Sequence, residues 1–154
     1  MPLCTSCEKK QQAIKLIFDQ CKTQDERYEQ IIELGRKAVA FPAQDKIPEN
    51  ILEGCQSTMY LTARLENGCV FFSAASDALI SAGLAALLVN VYSGETPETI
   101  LKCPPTFIEE LGITASLTPS RANGLHSIHL RMKQEALRLY MHQESLPGDT
   151  STEC

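Results

Sequence analysis

The sequence predicts an α+β fold in which a small antiparallel β-sheet packs against helices. Helical periodicity occupies the first 40 residues, the tripeptide Glu66-Asn67-Gly68 separates two β-forming runs, and a long apolar stretch follows from Ala78 to Val91. With 154 residues and 44% hydrophobic content, the chain can bury one sizeable core. We therefore expect a flexible N-terminus over residues 1–10, a single domain over 11–143 and a disordered tail over 144–154.

Two helices are predicted before the sheet. The first has apolar residues at the i, i+3, i+4 and i+7 positions of one face, namely Ile14, Ile17, Phe18 and Cys21. Thr23 and Glu26 then have the spacing of a capping box, which predicts the start of a second helix. Gly35 on this helix permits close packing because it has no side chain. We expect the helix to fray near Ala38.

The runs 58–65 and 69–73 are rich in β-forming residues, and the Asn-Gly turn between them predicts a hairpin. A third long helix should follow, capped by Ser76 with Asp77 in its first turn, and it should end at Gly94. Its predicted buried face holds Ile80, Leu84, Leu87, Leu88 and Val91. Thr96-Pro97 predicts a short helix near Glu98, and Thr118-Pro119 predicts a long one that reaches about Gln143.

Charge and hydropathy exclude several classes of function. The net charge of −5 argues against a binder of nucleic-acid backbones. The apolar stretch from Ala78 to Val91 is too short to span a bilayer, so we expect no membrane partner. The first residues have no basic flank or apolar signal core, so we do not expect export. Together with seven irregularly spaced cysteines, this favours a reduced, cytoplasmic protein with free thiols.

Cys55 is the best candidate for chemistry. It follows Gly54, which lets another group approach closely, and it precedes Gln56 and Ser57, which supply hydrogen-bond donors. A thiol at the entrance of a strand lacks the positive helix end that lowers cysteine pKa values, and Glu53 would oppose the thiolate. Such an unactivated thiol suits a sulfur carrier better than it suits the nucleophile of a hydrolase. The alternative is that Cys55 is merely a buried loop residue.

Other cysteine and histidine pairs have simpler interpretations. The pair Cys4 and Cys7 has C-x-x-C spacing, but no second such pair follows it, so an incidental pair is expected. His126 and His129 lie three residues apart on the last helix without a matching third ligand, which favours a half-packed face over a metal site. Plain packing is expected for Cys21 and Cys69. Cys103 precedes two prolines, which more simply mark a turn.

Four blocks of the chain match one family pattern in order: residues 28–35, residues 50–57, residues 76–77 with the apolar helix after them, and residues 117–125. Together, from about Tyr28 to Arg138, they resemble the SufE family of sulfur acceptors. The helix around Leu34 and Gly35 is similar to the family's Tyr-x-x-Ile-Ile-x-Leu-Gly pattern. The block from Asn50 to Ser57 resembles its Asn-x-Ile/Val-x-Gly-Cys-Gln-Ser pattern. Two further similar blocks are Ser76-Asp77 with the apolar helix after it, and Leu117-Thr118-Pro119-Ser120-Arg121 with Gly124-Leu125.

The resemblance implies a SufE/IscU-like fold, which is shared with an iron–sulfur scaffold family. It also implies that Cys55 accepts persulfide sulfur from a SufS-type, pyridoxal-phosphate cysteine desulfurase, stimulates that enzyme and relays the sulfur to a SufB-type scaffold complex. On this interpretation the protein needs no cofactor or metal of its own and is not itself an enzyme. Gly54 would give access, while Gln56 and Ser57 would hold the loop.

Asp77 and Arg121 are weaker functional candidates than Cys55, and one position of the chain differs from the family pattern. Asp77 could simply stabilise the start of its helix. Arg121 could pair with Asp77, contact the desulfurase or lie free on the surface. The family usually has a tryptophan shortly after Gln-Ser, whereas this chain has Met59-Tyr60 and no tryptophan, so the wall beside Cys55 is expected to differ.

Two rival functions stay open. An iron–sulfur cluster scaffold would need Cys55 to be joined by further ligands, for which Cys69 and Cys103 are the candidates. A cysteine hydrolase would need an oriented histidine base, but the three histidines crowd one C-terminal helix.

Overall fold

The computed structural model describes residues 3–53 and 57–145, with side chains as far as residue 142. Helices α1 and α2 come first, a hairpin of β1 and β2 follows, and helices α3 to α6 complete the order. Their bounds are Thr5–Asp19 (α1), Gln24–Lys37 (α2), Met59–Glu66 (β1), Cys69–Ser76 (β2), Leu79–Tyr92 (α3), Pro97–Lys102 (α4), Thr106–Glu110 (α5) and Pro119–Ser145 (α6). This order confirms the predicted α+β fold with a small antiparallel sheet.

Helix α1 begins earlier than the sequence suggested. It starts at Thr5, and Cys7 in its first turn is completely buried, so residues 5–10 are helical and are not a flexible arm. Its buried face includes Ile14 and Phe18, as expected. The helix ends at Asp19, however, so Cys21 lies beyond it at intermediate exposure, and its predicted place on the apolar face is wrong.

Helix α2 begins with the predicted capping box. The Thr23 hydroxyl accepts a hydrogen bond from the Glu26 N–H at 3.1 Å, and the Glu26 carboxylate accepts one from the Thr23 N–H at 3.3 Å. Gly35 packs against α3 so closely that a Cβ atom would lie 2.8 Å from the backbone nitrogen of Gly83. The predicted close packing at Gly35 is therefore confirmed.

The two strands form the predicted hairpin. Met59 pairs with Ser76 at one end and Glu66 with Cys69 at the other. Asn67 and Gly68 between them both have positive φ, 53° and 81°, which is typical of the two-residue turn that matches the twist of the strands. The outer side of β2 then meets the segment after α3, where the Val70 N–H donates to the Glu95 carbonyl oxygen at 2.9 Å.

The start of α3 differs from the prediction. Its N-cap position is Ala78, and the helix begins at Leu79 without an acidic residue in its first turn, so Asp77 lies outside it. The Ser76 hydroxyl accepts a hydrogen bond from the Ala78 N–H at 3.2 Å. Because this bond closes a turn before the helix, Ser76 caps that turn and not α3 itself.

Helix α3 forms the centre of the core and packs against α1, α2, β2 and α6. Leu84, Leu87, Leu88 and Val91 are all buried, as predicted for its apolar face. The Thr96 hydroxyl caps the short helix α4, and the long helix α6 begins at Pro119, which confirms both threonine-proline predictions. Among the described residues, no helix is long and apolar enough to cross a membrane.

Candidate functional site

The predicted site residues Gly54, Cys55 and Gln56 lie outside the described residues. The structure does describe the residues on either side of them, Glu53 and Ser57. We call residues 53–57 the acceptor loop. Its role in chemistry stays a prediction, and the described residues around it show what holds its two ends.

The first end of the acceptor loop is fixed by β1. Ile51 forms an isolated antiparallel bridge with Tyr60, and the Leu52 N–H donates to the Met59 carbonyl oxygen at 2.8 Å. The Leu52 side chain is buried in the core. Because a buried side chain and a backbone hydrogen bond act together, the chain is anchored up to the residue before Glu53.

The second end is fixed by Ser57, two residues after Cys55. The Ser57 hydroxyl donates to the Ser81 oxygen in α3 at 2.9 Å, and it lies 3.3 Å from the hydroxyl oxygen of Ser76 at the end of β2. Ser57 thus connects the loop to both the sheet and the helix behind it. Ser81 was not singled out from the sequence, where the only available signal was a polar residue inside an apolar helix.

Asp77 and Arg121 are not brought together as an ion pair in the described part of the chain. Asp77 is exposed in the link between β2 and α3. Arg121 lines a cavity of about 20 Å³ together with Met59 and Ser81. Of the two residues, Arg121 is therefore the one placed beside the anchor of the acceptor loop.

Met59 lies in the stretch after Gln-Ser where the SufE family usually has a tryptophan, and where we therefore expected the wall beside Cys55 to differ. Its side chain is 1% exposed and lines the same small cavity as Arg121. Tyr60 points elsewhere, and its ring lies 6.0 Å from that of Phe41. An apolar, flexible thioether therefore lies beside the loop anchor.

The cysteines are not all free, which corrects the expectation of a fully reduced set. Cys4 and Cys103 form a disulfide that links the start of α1 to the end of α4, so Cys4 does not pair with Cys7. Cys69 is also disulfide-bonded. Cys103 and Cys69 were the candidate partners for a cluster site at Cys55, and neither is available there as a free thiolate ligand.

Cys7 is buried and belongs to the core. Burial raises the pKa of its thiol, and the hydrogen bond from the Gln11 amide, with a nitrogen to sulfur distance of 3.4 Å, partly opposes this rise. Gln11 is itself buried, and its amide oxygen accepts from the Phe107 N–H at 3.1 Å. The two residues are a structural network, since a thiol with a raised pKa is a poor nucleophile at neutral pH.

The two helical histidines differ in their surroundings, since His126 is exposed and His129 is partly buried. No group of three or more histidine, cysteine, aspartate or glutamate residues within the described ranges could hold a metal ion. His129 stacks on Tyr92, with ring centroids 5.4 Å apart. Burial lowers the pKa of His129 to about 4, with smaller contributions from Lys133 and His126. His129 is therefore neutral at physiological pH.

Taken together, the fold and the site define a small α+β protein in which the chain on either side of the candidate cysteine is tied to one end of a two-stranded sheet. Residues 12–136 match the SufE family model, described as an Fe-S metabolism associated domain. The chain therefore belongs to the SufE family.

Two relatives and one solved structure agree with this assignment. An uncharacterised SufE-like protein of Synechocystis is 42% identical over 117 residues, which cover 76% of this chain and 74% of that protein. The SufE-like protein 1, chloroplastic/mitochondrial, of Arabidopsis thaliana is 36% identical over 145 residues, which cover 92% of this chain. The match spans 39% of the Arabidopsis protein, so this chain corresponds to about two fifths of its length.

The solution structure of a hypothetical protein from Thermus thermophilus has the same fold, with a TM-score of 0.71 and 25% identity. The likeness covers 86% of this chain and 96% of the other. Family membership supports a role in iron–sulfur metabolism as a sulfur acceptor, and it implies an interaction with a cysteine desulfurase.

Proposed function

We propose that the protein accepts sulfur as a persulfide on Cys55 and relays it to iron–sulfur cluster assembly. The observation that carries this proposal is the SufE match over residues 12–136, which includes the Gly54-Cys55-Gln56-Ser57 block. The described residues on either side of this block support it, because Leu52 and Ser57 are both held by hydrogen bonds to the sheet or to α3.

The sulfur transfer is a thiol exchange that needs no external oxidant. The Cys55 thiolate attacks the outer sulfur of a persulfide on the donor protein, and a new S–S bond forms at Cys55. The S–S bond on the donor breaks, and the donor cysteine leaves as a thiolate that takes up a proton. The rate depends on access to the attacking thiol and on its basicity, so an unactivated cysteine is adequate once the donor has docked.

The donor on this proposal is a SufS-type cysteine desulfurase, which holds the pyridoxal phosphate, while this chain contributes no cofactor. Docking and removal of the product sulfur would also stimulate the desulfurase. The downstream acceptor would be a SufB-type scaffold complex. We place this exchange in the cytoplasm, although the name of the Arabidopsis relative gives a chloroplastic or mitochondrial location for that protein.

Substitution of the proposed nucleophile tests this function. Cys55→Ser should abolish sulfur uptake while leaving binding to the desulfurase largely intact, because only the thiol is lost. Cys21→Ser is the matched control, since Cys21 is a free, half-exposed thiol outside the acceptor loop. Binding by calorimetry and uptake of ³⁵S-labelled sulfur would separate docking from transfer. Undiminished uptake by Cys55→Ser would overturn the assignment of Cys55.

A further inference from the structure

A cleft of about 600 Å³ lies along the outer edge of β2. Small and apolar residues of α2 and α3 line it, among them Gly35, Ala82 and Ala86. Lys37 at the end of α2 and residues 38–41 after it also line the cleft. The volume and these small and apolar lining residues suit an extended peptide segment lying beside the strand.

The edge of β2 offers unused backbone hydrogen-bonding groups to this cleft. At Val70 the N–H bonds the Glu95 carbonyl and the carbonyl oxygen accepts from Gly94 at 2.7 Å, so both groups of Val70 point away from β1. Because this direction repeats every second residue, the N–H and C=O of Ala74 point the same way. Among the described residues, no hydrogen bond reaches either group of Ala74.

The charge of the cleft favours one kind of partner. Lys10, Lys37 and Arg64 line it, whereas none of its described lining residues is a carboxylate. Lys10 is ion-paired with Glu95 and Arg64 with Glu66, so Lys37 is the lining cation without an ion pair within the described ranges. Pairing of this edge with the same edge of a second copy would bring two Lys37 side chains together, whereas an acidic segment would neutralise Lys37.

The cleft also leads to the acceptor loop. Ser76 lines its far end, and the hydroxyl of Ser76 lies 3.3 Å from that of Ser57, two residues after Cys55. A partner segment that lies along β2 would therefore belong to a protein that also contacts the acceptor loop.

We propose that the edge of β2 between Phe72 and Ser76 is a docking site for an extended, acidic segment of the sulfur donor, which adds as a strand to the hairpin. This inference rests on the proposed function, because it takes the donor to be the cysteine desulfurase. Backbone hydrogen bonds at Ala74 supply affinity, as in other cases of strand addition to a free sheet edge. Lys37 supplies the preference for carboxylates.

Two variants with matched controls test the docking site by calorimetric titration of the full chain with the desulfurase. Lys37→Glu should weaken binding about fivefold, whereas Lys22→Glu, just before the other end of α2, makes the same charge change with little effect.

Ala74→Pro removes the outward N–H and should also weaken binding about fivefold, whereas Ala74→Ser keeps that N–H and should bind normally. Proline is tolerated at an outward-facing edge position, and circular dichroism checks that the variant folds.

The outcomes separate this inference from the proposed function. Unchanged affinity in Lys37→Glu, together with persulfide formation on the wild-type chain, would overturn the docking site and leave the function intact. A wild-type dimer in sedimentation experiments that Ala74→Pro abolishes would assign the edge to a second copy and also overturn the inference. A wild-type chain that never acquires sulfur would instead overturn the proposed function.

Discussion

The Ser57 and Ser81 hydroxyl oxygens lie 2.9 Å apart, which ties the end of the acceptor loop to the first turn of α3. The contact spans 24 residues of sequence and joins an element with candidate chemistry to the central helix of the core. Because the Ser57 hydroxyl also lies beside Ser76, one side chain links the loop, the sheet and the helix.

Ser81→Ala should loosen the acceptor loop. Loss of the Ser81 hydroxyl leaves the Ser57 side chain with Ser76 as its remaining hydrogen-bond partner among the described residues, so local opening should become easier and alkylation of Cys55 by iodoacetamide should be about threefold faster. Peptide mapping by mass spectrometry measures the rate at Cys55 alone. Ser120→Ala is the control, because Ser120 lines the same small cavity without an observed bond to Ser57. Equal rates in Ser81→Ala and wild type would show that the contact does not restrain the loop.

Gly83→Ala should be strongly destabilising. A Cβ atom at Gly83 would overlap the carbonyl oxygen of Ile31, so α2 and α3 would have to move apart. Overpacking of this kind should lower the free energy of unfolding by about 3 kcal/mol, measured by urea denaturation. Asn90→Ala, at an exposed position of the same helix, should change it by less than about 0.5 kcal/mol. A tolerated alanine at Gly83 would contradict the close approach of the two helices.

The Cys4–Cys103 disulfide should contribute substantially to stability. It closes a loop with a sequence separation of 99 residues and anchors the first turn of α1. Cys4→Ser should therefore lower the free energy of unfolding by about 2 to 4 kcal/mol in urea denaturation. Cys21→Ser, at a cysteine outside this disulfide, should leave it nearly unchanged. Equal stability of Cys4→Ser and wild type would mean that the disulfide does not form in solution.

His129 should make the fold less stable in weak acid. The pKa of this histidine is about 4 in the folded protein and about 6.5 when unfolded, so the unfolded chain binds more protons between these values. Stability should thus fall as the pH is lowered from about 6.5 to about 4. The expected loss is about 1 to 2 kcal/mol, allowing for the partial exposure of the ring.

His129→Phe isolates this contribution because it keeps a ring to stack on Tyr92 and removes the buried Nε2 atom, which has no hydrogen-bond partner in the described part of the chain. The stability difference between wild type and His129→Phe should change with pH across this range. His126→Gln, at an exposed histidine, should retain the wild-type pH dependence. Glu109 is a titratable neighbour that lines one cavity together with both histidines. Both variants keep this carboxylate, so it is present in every protein compared. Parallel pH profiles for wild type and His129→Phe would contradict the assignment.

Local signals in the sequence predicted most of the fold. The Asn67-Gly68 turn and the Thr23 capping box depend on neighbouring residues only, and both are present as expected. The start of α3 was misplaced because the hydroxyl of Ser76 can cap either a helix or an isolated turn, and the local sequence does not distinguish them.

Long-range contacts could not be predicted in the same way. Cys4 meets Cys103 only after α1 packs beside α5, and seven cysteines allow many pairings. The anchor between Ser57 and Ser81 likewise depends on how the sheet lies on α3. Cys55 itself was proposed from a sequence block, and its role stays a prediction.

The most direct test is the mass of the intact protein after incubation with cysteine and a catalytic amount of a cognate cysteine desulfurase, followed by peptide mapping. We predict a gain of one sulfur atom on the peptide that contains Cys55, and no gain when the desulfurase is omitted. A gain confined to another cysteine, or no gain with an active desulfurase, would contradict the assignment of Cys55 as the sulfur acceptor.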